Sequence, residues 1–228
     1  MSMIAHYKIN EGSGTVLSDA LGNKSDISLF NMDNSNWVTW YKAGELALRF
    51  NGVDETGLSL LPDNYPDVIS MLIRHKPNVG AAGDGLISIG DASVAGFAHA
   101  IGTPLAQQQA YDGTILSGNT TGLNDGSWHM TGITHAADDT VKLYLDGVPD
   151  GSASSVRADW TSAGGFTCFG AIWVGIIGLE FNGDIGEVAI WNHVLSDEEV
   201  LDFYNDKPAN NVYEGNILLT TDLVNTLV

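Results

Sequence analysis

Short runs in which apolar and polar residues alternate, cut by clusters of Gly, Asp and Asn, make up most of this chain. Alternation with period two puts successive side chains on opposite faces of an extended strand, so such a chain is constrained to bury one face of each strand. In Glu45-Leu-Ala-Leu-Arg-Phe50, residues Leu46, Leu48 and Phe50 share one face, with Glu45 and Arg49 opposite. In Thr140-Val-Lys-Leu-Tyr-Leu145, residues Val141, Leu143 and Leu145 point one way, Lys142 and Tyr144 the other. Asp146-Gly147 then supplies positive-φ residues for a tight hairpin turn, and Asp138-Asp139 turns the preceding strand back onto this one. Val68 to Ile73 is apolar at both parities, which predicts a central strand covered on both faces. Gly183 to Trp191 breaks its own alternation, since Ile185 has odd parity while Val188 and Ile190 have even. A bulge at Gly186 reconciles the two.

One helix is predicted near the C-terminus. Ser196-Asp-Glu-Glu199 has the form of a capping box, in which the serine hydroxyl and the Glu199 carboxylate each accept an otherwise orphaned amide. Asp197 and Glu198 add negative charge where the helix dipole is positive. Val200, Leu201 and Tyr204 form a short apolar stripe, and Pro208 ends any continuation.

Composition removes several function classes. Nine Lys plus Arg against 28 Asp plus Glu give a formal net charge of −19. Nucleic acid needs a cationic surface, and an anionic membrane would repel this one, so neither is an expected partner. No apolar run reaches the roughly 18 uncharged residues of a membrane-spanning helix. The single cysteine, Cys168, excludes an internal disulfide and sits in apolar company, as a core residue does. The first residues lack a charged and then apolar leader, so the expectation is a cytoplasmic protein or one that reaches a virion or cell exterior by another route.

Four blocks, in order, carry a resemblance. They are Ala5 to Gly14 with Asp19 to Asn23; Gly44 to Glu55; Ser127-Trp-His129 with Val141 to Gly147; and Phe181 to Asn192 with Leu195 to Glu199. Together they resemble the laminin-G-like, concanavalin A-like jelly rolls, relatives of the pentraxins and legume lectins. The resemblance implies an all-β fold, a two-sheet antiparallel jelly-roll sandwich with one short C-terminal helix. It covers residues 1–208. Residues 209–228 form an extension outside it, a docking or oligomerisation strand or a last strand folded onto its own sandwich. The chain departs from the family at Gly186, where relatives usually carry Asp before the Glu.

The family's calcium sites imply Asp19 and Asn23 in the first loop and Asp54 with Glu55 in the second as oxygen ligands. The same residues also read as ordinary turn formers. Glycosidases on related sandwiches place two carboxylates one or two residues apart on one strand. Here the nearest cluster is Glu180, Asp184 and Glu187, and Asp184 and Glu187 fall on opposite faces unless a bulge brings them together. No nucleophile elbow, phosphate loop or His-Glu-x-x-His motif is present. His129 and His135 share a strand but lie about 20 Å apart at roughly 3.3 Å per residue, too far to hold one zinc. Among the tryptophans, Trp37, Trp128 and Trp191 read as packing residues, whereas Trp40, Tyr41 and Trp160 sit in loop contexts suited to stacking on sugars. The expected function is a non-catalytic binding or structural module. It would be a surface or fibre component of a virion, homo-oligomeric, with glycans or other surface proteins as partners. A secreted-type lectin or adhesion domain and a glycoside hydrolase on the same fold are the alternatives.

Overall fold

The computed structural model describes residues 2–40, 44–59, 61–80, 84–90, 97–102, 104–111, 115–154, 165–173 and 177–206. The strands in chain order are β1 (Met3–Tyr7), β2 (Val16–Leu17), β3 (Ile27–Phe30), β4 (Trp37–Thr39), β5 (Leu46–Asn51), β6 (Thr56–Ser59), β7 (Ile69–Pro77), β8 (Asp84–Ile89) and β9 (Phe97–Gly102). They continue with β10 (Gln107–Tyr111), β11 (Ile115–Ser117), β12 (His129–His135), β13 (Thr140–Leu145), β14 (Val148–Ser154), β15 (Thr167–Phe169), β16 (Ile172–Trp173), β17 (Ile177–Gly178) and β18 (Asn182–Trp191). A single helix, α1 (Asp197–Tyr204), follows among the described residues.

Two antiparallel sheets pack face to face. One runs β14-β13-β12-β7-β18-β5-β4, with β1 also on β18; the other runs β11-β10-β9-β8-β15-β6-β3-β2. This is the jelly-roll sandwich that the alternation and the resemblance imply. The strand patterns place the core as expected: Leu48 and Phe50, Val141 and Leu143, and Ile69, Met71 and Ile73 all point between the sheets. The expected hairpin turns form, with Asp139 at φ 62°, Asp146 at φ 48° and Gly147 at φ 85°. β7 is central, between β12 and β18, and every residue from Ile69 to His75 is buried.

The register of β18 against β7 slips between Ile185 and Glu187, which is the bulge at Gly186. Ile185, Val188 and Ile190 consequently all enter the core, while Ala189 and Trp191 turn to the opposite face. The two halves of β18 also take different neighbours, β5 along Asn182–Ile185 and β1 along Val188–Trp191.

On that opposite face, α1 docks. Leu72, Met130, Tyr144, Ala189, Trp191, Leu195 and Val200 form a second apolar cluster, against which Phe203 and Tyr204 pack. The capping box forms as expected: Ser196 Oγ accepts the Glu199 amide at 3.2 Å, and the Glu199 carboxylate accepts the Ser196 amide at 2.8 Å. The expected stripe is corrected at one position. Leu201 remains 39% exposed and Phe203 takes its place, edge-on to Trp191 with ring centroids 5.3 Å apart.

The outer face of the other sheet is covered in part by β16 and β17. Ile172 lies on Ala98 and Ala100. Gly85 makes room for it, since a Cβ there would lie 2.5 Å from Ile172 Cγ1. The apolar run from Phe169 to Gly178 thus begins as buried strand and continues as a cover over the sheet; its residues 174–176 lie outside the described ones. Cys168 is fully buried, and burial pushes its thiol up to about 12, as befits a core residue.

The core also holds polar groups. His75 and His99, one from each sheet, are fully buried. His75 Nε2 lies 3.1 Å from Thr131 Oγ1, and Gln108, beside His99, donates to Asp150 Oδ2 at 2.6 Å. Desolvation holds His75 well below its ordinary value and His99 at about 3, so both are neutral. Burial also pushes the Asp84 carboxyl up to about 6.

Candidate functional site

A cleft of about 390 Å³ opens where the C-terminal end of α1 meets the sheet, lined by Arg74, Trp128, His129, Met130, Tyr204, Asn205 and Asp206. Its volume lies within the range typical of small-ligand pockets. Each wall follows from local structure. Period-two alternation along β7 sends Ile73 and His75 inward and Arg74 outward, beneath the end of the helix. Arg74 is only 2% exposed. Its Nε donates to Glu187 Oε2 at 3.0 Å, and its Nη2 reaches the Phe203 carbonyl at 2.6 Å and Asp206 Oδ1 at 2.8 Å. A cation at the carbonyl end of a helix satisfies acceptors that have no partner within the helix and complements the dipole.

Trp128 precedes β12 and forms the opposite wall, half-buried, with its ring 5.5 Å from that of Trp40. His129 is held from both sides: Nδ1 lies 3.1 Å from Asp146 Oδ2 and Nε2 lies 3.3 Å from Asp125 Oδ1. The hydrogen bond that the His129 ring donates to Asp146 raises its pKa, with Asp125 adding to the effect. Asp125 is itself lowered, chiefly by the Ser127 amide that donates to it at 2.7 Å. Aromatic faces thus stand beside planar polar groups within one concavity, an arrangement suited to a ligand with apolar ring faces and many hydroxyls.

The sequence-predicted sites fare differently. Trp40 is not an exposed platform: it is 5% exposed and supports Trp128 from behind. Tyr41 and Trp160 lie outside the described residues, as does the extension 209–228. Trp128, expected in the core, instead reaches the cleft. The loop before it (Asn124-Asp-Gly-Ser127) was the only sequence signal for that exposure. Trp37 packs half-buried and donates from Nε1 to the Gly14 carbonyl at 3.2 Å. Trp191 is in the helix-side cluster, as a packing residue.

Of the calcium ligands implied by the resemblance, Asp19 and Asp54 are hydrogen-bonded within their own loops. Both oxygens of Asp19 are taken by backbone amides, those of His6 and Leu21 on one and those of Asn23 and Lys24 on the other, at 2.7 to 3.1 Å. Asp54 accepts from Asn51 Nδ2 at 2.9 Å, and Asn51 Oδ1 in turn accepts the amides of Val53 and Asp54. These carboxylates organise their loops. Among the described residues no three His, Cys, Asp or Glu side chains converge as a metal centre needs.

The bulge does bring Asp184 and Glu187 onto one face of the sheet, but each is committed to its own arginine. Asp184 pairs with Arg49 through two bonds of 2.7 and 3.1 Å, and Glu187 bridges Arg74 and His6, the latter at 2.7 Å. The glycine at 186 has a steric cause. A Cβ there would lie 2.9 Å from the indole of Trp40. Gly186→Asp is therefore expected to cost about 1–3 kcal/mol through overpacking. Thermal unfolding checks this, and an unchanged melting temperature would remove Trp40 as the reason for the glycine.

Residues 80–201, just over half of the chain, match the family model of the concanavalin A-like lectin/glucanases superfamily. No curated protein matches the chain in sequence. Among solved structures, domain 4 of AbnA, an extracellular arabinanase from Geobacillus stearothermophilus solved with arabinotriose, superposes with TM-score 0.67 at 16% identity, over 89% of this chain and 98% of that one. The CBM40 of a Ruminococcus gnavus IT-sialidase gives TM-score 0.52 at 16% identity, over 61% and 84%. A heptameric SAP-like pentraxin from Limulus polyphemus gives 0.55 at 14% identity, over 70% and 82%. At these identities the likeness is one of fold, and the fold is that of concanavalin A-like carbohydrate-binding modules. By the family match over most of its second half and the sandwich described above, the chain belongs to the concanavalin A-like lectin/glucanases superfamily.

Proposed function

We propose that the chain is a non-catalytic glycan-binding module whose site is the cleft between Trp128 and Tyr204. The observation that carries this is the meeting of half-buried aromatic side chains with Asn205, Asp206 and His129 in one concavity. Apolar ring faces of a sugar stack on aromatic planes while its hydroxyls bond to the planar polar groups. The modules of the arabinanase and the sialidase, solved with arabinotriose and with sialyllactose, support a glycan as the ligand class for this fold. The pairing of Asp184 and Glu187 with separate arginines supports binding over bond cleavage, because hydrolysis needs two carboxyl groups at the reacting sugar.

Display on a virion or cell exterior, as a homo-oligomer, belongs to the same proposal. Several weak clefts on one particle gain avidity of about 10²–10⁴ without any new contact.

The test is binding to a broad glycan array by the full chain and by Trp128→Ala, with Asn205→Ala as a second variant on the exposed helix end. The expected outcome is at least a tenfold loss of signal in both variants with circular dichroism unchanged. Equal binding by both variants would place the site elsewhere.

A further inference from the structure

The charges around the cleft are unevenly matched. Arg74 is the one arginine or lysine lining it among the described residues, and its guanidinium is already shared between Glu187, Asp206 and the carbonyls of Phe203 and Tyr204. It is also enclosed by rings, with its Cζ 5.9 Å from the Trp40 ring and 5.4 Å from the Phe203 ring. At 2% exposure it offers no charged edge to an incoming ligand. The His129 imidazole, a second cation when protonated, is flanked by both Asp125 and Asp146. Four carboxylates, Glu187, Asp206, Asp125 and Asp146, therefore surround one arginine and the His129 imidazole, in a chain whose formal net charge is −19. A ligand carboxylate entering here would meet Asp206, with Asp125 and Asp146 close by on His129, and the one lining arginine already committed. Hydroxyl groups meet the opposite situation, since carboxylates and amide oxygens are strong acceptors for them.

We infer that the cleft takes uncharged glycans and discriminates against sialylated and uronate-bearing ones. This rests on the glycan reading proposed above and adds the charge of the ligand to it. The repulsion is electrostatic and partly exposed, so salt weakens it. Asp206→Asn would both remove a negative charge and release one contact of Arg74, which turns the local field toward anions.

The experiment is an array carrying neutral glycans beside carboxylate-bearing counterparts of the same backbone, probed with the full chain, with Trp128→Ala and with Asp206→Asn. The expected result is Trp128-dependent signal on neutral glycans and at least tenfold less on the carboxylated ones. That ratio should shrink at high salt and in Asp206→Asn. Trp128-dependent signal that is equal or stronger on carboxylated glycans overturns the charge inference and leaves the glycan site standing. Silence on every glycan, or signal indifferent to Trp128, overturns the glycan reading and this inference with it.

Discussion

Acidification from pH 7 to pH 5 is expected to destabilise the protein, with His99 alone contributing about 2 kcal/mol of the loss. The sign follows from its depressed pKa. In the unfolded chain His99 takes up a proton near 6.5, whereas in the fold it stays neutral down to about 3. Its contribution is complete above pH 6.5 and is lost as the pH falls toward 3. His75, fully buried and also held well below its ordinary value, acts in the same direction. Two groups oppose them. Asp84, raised from 3.8 to about 6, protonates in the fold first and returns about 1 kcal/mol over the same interval. His129, raised by Asp146, gains a favourable charge as it protonates. The two buried imidazoles outweigh these.

Melting curves at pH 7 and pH 5 measure the balance. His99→Gln should reduce the acid-induced loss by about 2 kcal/mol, while Asp84→Asn should enlarge the loss and raise stability at pH 7. A His99→Gln profile that superimposes on that of the parent would show that this imidazole does not hold its proton off in the fold.

Arg74→Met is expected to lower stability by about 3–5 kcal/mol, the cost of removing one partner from a buried ion pair. Glu187 would lose its guanidinium partner while its contact with His6 remains, and the last carbonyls of α1 would lose their cation. For a chain of this size that corresponds to a fall of roughly 10 °C in melting temperature. Arg74→Lys is not expected to restore it, since one ammonium cannot span Glu187 on one side and Asp206 with two carbonyls on the other. A loss below about 1 kcal/mol would mean that the helix is held by its apolar cluster, the Trp191–Phe203 contact included, without help from Arg74.

The sheets were legible because their signal is periodic and local. The parity of Leu48 and Phe50, the parity break at Gly186 and the Asp146-Gly147 turn each constrain geometry within a few residues. The site was less legible because it is assembled from distant segments. Arg74 lies on β7, Trp128 before β12 and Asp206 after α1, and only the folded sheet makes them neighbours. Trp40 shows why residue type alone misleads. Its loop context suggested exposure, yet the space above Gly186, more than 140 positions away in sequence, receives its indole. The loop carboxylates show how one residue type serves two roles. Asp19 has the chemistry of a calcium ligand, and in the fold it accepts four backbone amides.

The slipped register on β18 has a bearing on how this chain is compared with others. One residue fewer before Glu187 would turn the strand's last five positions half a revolution about its axis. Val188 and Ile190 would be driven out to meet α1, and Trp191 would be forced between the sheets. An alignment with any relative that lacks the additional residue must therefore open a gap there. Otherwise each position from 187 to 191 is equated with one that looks the other way, and an arginine-binding glutamate is mistaken for part of the hydrophobic interior.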